Sequence, residues 1–237
     1  MWSAVTRIVA RSPGRPCARS ARAIFFPRIF SDLEVRHAFR TALIEQHPRS
    51  PHAYSTPSHQ APTQGVVVCA GASDGFFAAS VLKQGGSKIR LVLFEPDASW
   101  SEPLRRTFAD DSARITIREK KLGSRCTADQ TTLDAVADEF GEISFVEADV
   151  EGAEPEIIAG GKRALGESRS VRCSICCYHA WEHEKALRQA FEELGFSTST
   201  SRGYFVFSPR APFLRRAVVY AARDTARNGA KGRGPLQ

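Results

Sequence analysis

Val66-Val67-Val68-Cys69-Ala70 runs straight into Gly71-Ala72-Ser73-Asp74-Gly75 and then into the apolar segment that opens with Phe76-Phe77. A buried strand that stops at glycine and restarts as a helix makes a sharp corner, because glycine alone takes left-handed backbone at little cost. A second apolar strand, 89–94, ends on Glu95-Pro96, about twenty residues beyond Gly75. In a strand-helix-strand unit that acid lies beside the glycine turn at the strand carboxyl ends, where a carboxylate can accept both hydroxyl protons of a ribose. The turn lacks the G-x-G-x-x-G spacing, so a pyrophosphate cofactor and nicotinamide chemistry are poorly supported. A nucleoside joined to an amino acid suits it better.

The rest of the chain repeats this alternation. Apolar runs at 66–69, 89–94, 115–117, 143–148, 171–177 and 203–207 are separated by helical patterns at 76–84, 98–108, 131–139, 154–165 and 182–194. Such alternation predicts an α/β domain with a mostly parallel sheet and helices on both faces. Phe196 to Thr200 and Gly203 to Phe207, joined by a short turn, read as a closing antiparallel hairpin. The domain is expected over 64–208. Before it, 1–46 holds a basic segment and a helix at Asp32 to Glu45, and 47–63, with four prolines among Ser, Thr and His, reads as a linker. After it, 209–237 reads as a basic helix and tail.

The formal charge of +7 suggests a nucleic-acid partner until it is divided along the chain. Residues 1–31 and 210–237 each carry +6, which leaves −5 for the body between them. Nucleic acid is therefore an unfavoured partner for the fold itself, and methylation of RNA directed by the basic ends is the weaker alternative. The acid-free 1–31 has the composition of an organellar transit peptide; without that role the expected location is cytoplasmic. No run of about eighteen apolar residues predicts a transmembrane helix. The six cysteines show no disulfide framework. Cys173 and Cys176 have metal-pair spacing, but residues three apart in a strand face opposite sides, so core thiols are expected and no metal site is.

Asp149-Val150-Glu151-Gly152-Ala153-Glu154 follows the apolar strand at 143–148 and opens a helix. Carboxylates there are favoured by the helix dipole, and a strand carboxyl end in a parallel sheet is also where ligands bind. Tyr178-His179 follows the next strand. His179 has two open roles, a general base assisted by Asp149 or a cap for the following helix.

Taken together, Cys69 to Phe77, Phe94-Glu95-Pro96, Thr132-Leu133-Asp134, Asp149 to Glu154 and Tyr178-His179 resemble the FkbM-type methyltransferases over roughly 64–208. The resemblance implies a single Rossmann-like, seven-stranded class I sheet and S-adenosylmethionine as cofactor. It implies O-methylation of a hydroxyl on a small molecule or glycan. It places Gly71, Ala72, Asp74 and Gly75 at the cofactor's amino-acid end, Glu95 at its ribose, Asp149 and Glu151 along the cleft, and His179 with Asp149 in catalysis. One position departs from the pattern. The family's first strand usually ends on an acid that helps hold the amino-acid end, and Cys69 stands there, unable to supply a carboxylate at neutral pH. Asp74 is the compensating candidate, and a fold that binds without catalysing is the alternative function.

Overall fold

The computed structural model describes residues 8–9, 22–207 and 211–223. Its frame is a seven-stranded sheet in the spatial order β6-β7-β5-β4-β1-β2-β3. The strands are β1 Gly65–Ala70, β2 Ile89–Phe94, β3 Ile115–Arg118, β4 Ile143–Ala148, β5 Arg172–Cys176, β6 Ser197–Thr200 and β7 Val218–Ala222. β1 to β5 pair in parallel, and β7 enters antiparallel between β5 and β6. The helices are α1 Asp32–Glu45, α2 Phe76–Gly85, α3 Ser101–Thr107, α4 Leu133–Phe140, α5 Glu154–Ala159, α6 Lys162–Glu167 and α7 His183–Glu193. None of the described helices is long and apolar enough to cross a membrane.

Alternation along the strands splits the core in two. Val66, Val68, Ala70, Val146, Cys173 and Ile175 point to one face, where Leu133, Ile157 and Leu187 pack from α4, α5 and α7. Val67, Cys69, Leu91, Leu93, Phe145 and Cys176 point to the other, against Phe77 and Val81 of α2 and Leu104 of α3. Cys173 and Cys176 thus lie in different cores, as strand geometry requires. The first five strands fall where the apolar runs place them, and β1, β2 and β4, covered on both faces, read as the longest of those runs. α1 begins where expected, at a capping box in which the Ser31 side chain accepts from Glu34 N and Glu34 reaches back to Ser31 N.

Three expectations are corrected. The first concerns 47–63, which is a packed strap across the second core. Ala53, Tyr54 and Ala61 are buried, and so are His52 and His59. Ser174 Oγ donates to the Tyr54 carbonyl at 2.7 Å and the Tyr220 hydroxyl to the Ala53 carbonyl at 2.6 Å, so sheet side chains satisfy the backbone of a proline-rich segment. The second concerns the closing hairpin. β6 pairs with β7 rather than with 203–207, of which Phe205–Val206 forms a separate two-stranded ribbon with Leu214–Arg215. The third follows from it. The domain runs past 208, and in place of the expected basic helix the described residues 211–223 hold strands: 218–222 is interior, and its Val-Val-Tyr-Ala-Ala pattern outweighs the flanking Arg215, Arg216 and Arg223. Most of 1–31, and 224–237, lie outside the described residues.

Candidate active site

The site forms where the strand order reverses, at the carboxyl ends of β1, β2 and β4. Gly71 N and Ala72 N both donate to the Phe94 carbonyl, and Asp149 N donates to the Ala70 carbonyl, which ties the three strand ends together. Gly71 has φ +81, and a β-carbon on it would lie 2.0 Å from the Asp149 carbonyl oxygen, so nothing larger than glycine fits between β1 and β4. Gly75, at φ +72, caps the start of α2, and a β-carbon on it would lie 2.8 Å from the Phe108 ring.

Glu95 is buried at 8% exposure. One carboxylate oxygen accepts from Ser73 N at 2.9 Å, the other from Asp97 N at 3.0 Å. It therefore holds the glycine turn against the end of β2, and each oxygen keeps a second lone pair. These residues front a cavity of about 610 Å³, with Gly71, Ser73, Glu95 and Trp100 on one wall and Asp149 and Glu151 on the other. A second recess of about 160 Å³ shares Gly71, Ser73 and Asp149 with it and continues to Ala72, Asp74 and Glu147. A third concavity of about 670 Å³ runs along α7 beside Trp181 and shares no residue with the other two.

Asp149 stands between the first two cavities. Its carboxylate accepts from the Tyr54 and Tyr178 hydroxyls, each at 3.0 Å, and lies 3.5 Å from His52 Nε2 and from His179 Nε2. Burial pushes its pKa up, but His52, His179 and Tyr178 outweigh that and hold it below the ordinary value. Glu154 is fully buried at the start of α5 and accepts from Val150 N, Gly152 N and, at 2.8 Å, His179 Nδ1. Its other oxygen lies 3.3 Å from His183 Nδ1. With Nδ1–H committed to Glu154, neutral His179 carries its lone pair on Nε2, which faces Asp149 and, at 3.4 Å, Glu151. Burial lowers the His179 pKa, but Glu154, Asp149 and Glu151 together raise it above the usual value. Glu151 takes left-handed backbone, φ +56, and its side chain is exposed. Asp149, Glu154 and His179 bring possible ligand atoms within 4.8 Å of one another. The 2.8 Å contact between Glu154 and His179 has the length of an N–H···O hydrogen bond.

Asp74 faces the smaller recess and accepts from Phe76 N; burial lifts its pKa to about 6 against the pull of that hydrogen bond. Cys69 pairs in register with Glu147 of β4, and burial, with Glu147 next to it, keeps its thiol protonated. Sequence reasoning thus placed Gly71, Glu95, Asp149 and His179 together, with Ala72, Asp74 and Glu151 around them. It missed Tyr54 and His52, hidden in the apparent linker, and Glu147, whose one signal was a carboxylate inside an apolar strand.

An open sheet in this order, with a glycine turn after β1, an acid after β2 and a carboxylate cluster after β4, is the Rossmann-like fold of S-adenosylmethionine-dependent methyltransferases. Residues 104–198 match the model of the methyltransferase FkbM domain, so the resemblance read from the motifs holds over that segment. The match takes in Asp149 to Glu154 and His179 and leaves out the glycine turn and Glu95. Among solved structures the chain is similar to the precorrin-6y C5,15-methyltransferase from Geobacter metallireducens GS-15, with 12% identity, TM-score 0.45, and 82% of this chain and 90% of that one covered. It is similar to the fibrillarin from Aeropyrum pernix in complex with natively bound S-adenosyl-L-methionine, with 12% identity, TM-score 0.44, and coverage of 78% and 74%. A third is the SAM-dependent O-methyltransferase from Thermotoga maritima, with 13% identity, TM-score 0.41, and coverage of 80% and 65%. A search among curated proteins finds no match.

Proposed function

We propose that this chain moves the methyl group of S-adenosylmethionine onto a hydroxyl of a small molecule or carbohydrate. The observation that carries the reading is Asp149 on the shared wall of the two cavities, with the His179–Glu154 pair directly behind it. The residues present fit such a donor. Glu95 offers its remaining lone pairs to a diol, and the recess beyond Gly71 is lined by carboxyl groups suited to an ammonium. Bound there, the donor supplies an electrophilic methyl on a sulfonium whose leaving group is a neutral thioether.

The protein's part is alignment and proton handling. Gly71 lets backbone approach closely, Glu95 fixes the register of the turn, and Asp149, held by two tyrosines, accepts a hydrogen bond from the acceptor hydroxyl. The hydroxyl's proton passes during or after attack to the Asp149–His179 pair, whose Nε2 is basic because Glu154 supports the positive charge.

The test is calorimetric titration of the full chain with S-adenosylmethionine and its demethylated product, followed by a screen of sugar and polyketide hydroxyls for methyl transfer. Saturable binding weakened by Glu95→Ala, with transfer to oxygen, supports the reading. Absence of binding sinks it. Cys69 favours a second reading, a methyltransferase fold that binds a ligand or partner without turnover; binding recovered only in Cys69→Asp identifies that case.

A further inference from the structure

The recess of about 160 Å³ beside Gly71 is lined by four carboxyl groups, Glu45, Asp74, Glu147 and Asp149, and, among the described residues, by no lysine or arginine. His52 is the basic side chain on its wall, and it is turned to Asp149. Asp149 and Asp74 have local hydrogen-bond donors of their own. Glu147 is different. It is 3% exposed, sits in the middle of the sheet, and among the described residues its recorded donor is the weak Cys69 thiol. A carboxyl group so placed is costly unless it keeps its proton or meets a cation.

Where that cation would come from follows from register. Cys69 and Glu147 are paired on adjacent parallel strands, each just ahead of the turn at its strand end, and both face the core that holds Tyr54 and Phe77. The recess that Glu147 lines shares Gly71, Ser73 and Asp149 with the cavity that Glu95 lines. A ligand with a diol at one end and an ammonium at the other spans the two.

We propose that Glu147 is the carboxylate that receives the α-ammonium of the methyl donor, supplying from the fourth strand the charge that Cys69 cannot supply from the first. This rests on the donor reading given under Proposed function. Burial, and then Asp149 and Asp74, raise the Glu147 pKa well above the ordinary value, and Asp74 stands at about 6. That burial favours the protonated form before the donor arrives, and an ammonium beside it favours the ionised form with release of a proton. Among the described residues, Asp149, Asp74, Glu45, His52, Tyr54, Cys69 and Cys176 are titratable groups around it.

The experiment titrates wild type, Glu147→Gln, and the double variant Cys69→Asp/Glu147→Gln with two probes. One is S-adenosylmethionine; the other is 5′-methylthioadenosine, which has the diol but no amino-acid end. Each titration is run in buffers of different ionisation enthalpy. Gln is a close match to a neutral carboxyl, so the single variant keeps the fold, which a thermal melt verifies; the double variant keeps one carboxyl at the site. The expected result is that Glu147→Gln weakens S-adenosylmethionine by at least about tenfold, leaves 5′-methylthioadenosine within about twofold, and reduces the proton release, while the double variant regains most of the affinity. If wild type binds S-adenosylmethionine and Glu147→Gln weakens both probes alike or neither, this assignment falls and the donor reading stands. If wild type binds neither probe, both fall.

Discussion

The two walls of the central cavity are built on different principles. The wall after β1 and β2 is made of backbone: left-handed Gly71, the Phe94 carbonyl taking two N–H groups, and Glu95 clamping Ser73 and Asp97. The wall after β4 and β5 is made of charge, with Asp149 and Glu154 bound to Tyr54, Tyr178, His52, His179 and His183. Steric change should therefore break the first wall. The second should tolerate change of shape and respond to protonation.

The largest effect expected is from Gly71→Ala. Left-handed backbone costs about 1–3 kcal/mol for a residue with a side chain, and the close Asp149 carbonyl adds to it. We expect a loss of about 3 kcal/mol or more, read as a fall in the thermal midpoint; an unchanged midpoint would show that β1 and β4 can separate. Next comes His179→Gln, expected to cut methyl transfer by about 10²-fold or more with little change in donor affinity. Donor affinity falling in parallel would place His179 on the donor wall instead. Glu154→Gln should return the His179 pKa towards its ordinary value or below, as followed by proton resonance titration of the imidazole, because the largest of the raising contacts is removed. A smaller loss of about 1 kcal/mol is expected for Tyr54→Phe, which takes one donor from Asp149. Least of all, Glu151→Gln should alter stability by under about 0.5 kcal/mol, since its side chain is exposed.

The pH dependence belongs to the charged wall and has a definite sign. The raised pKa of His179 gives stability that is complete below about 6.5 and is lost as pH rises through the folded value. The lowered pKa of Asp149 gives stability present above about 3.9 and lost as pH falls through its folded value. Transfer needs neutral His179, so its rate should climb through that raised pKa, above about 6.5. A rate that is flat there would remove His179 from proton transfer.

What the sequence revealed divides along physical lines. β1, β2 and β4 were legible because strands buried on both faces leave long apolar runs, and α1 because Leu33, Val35, Phe39, Leu43 and Ile44 give it an apolar face. The glycine turn, Glu95, Asp149 and His179 were legible because strand ends in a parallel sheet converge. The strap was not, because nothing local distinguishes a solvated Pro-Ser-His segment from one whose carbonyls are taken by Ser174 and Tyr220. β7 was obscured by its arginine neighbours and by the nearer apolar pair Phe205 and Val206, which leaves the sheet for a ribbon. Glu147 shows the same limit at one residue, since its meaning depends on which residue of another strand lies beside it.

The strap also bears on the order in which the molecule is assembled. Its contact with Ser174 spans 120 residues and its contact with Tyr220 spans 167, so the segment carrying His52 and Tyr54 emerges early in synthesis and its docking surface emerges late. Closing loops of that length costs entropy that only a nearly complete sheet can offset. Tyr54 reaches Asp149 through that strap, so the charged wall should mature in the closing phase of folding, after the glycine corner has formed from neighbours close in sequence.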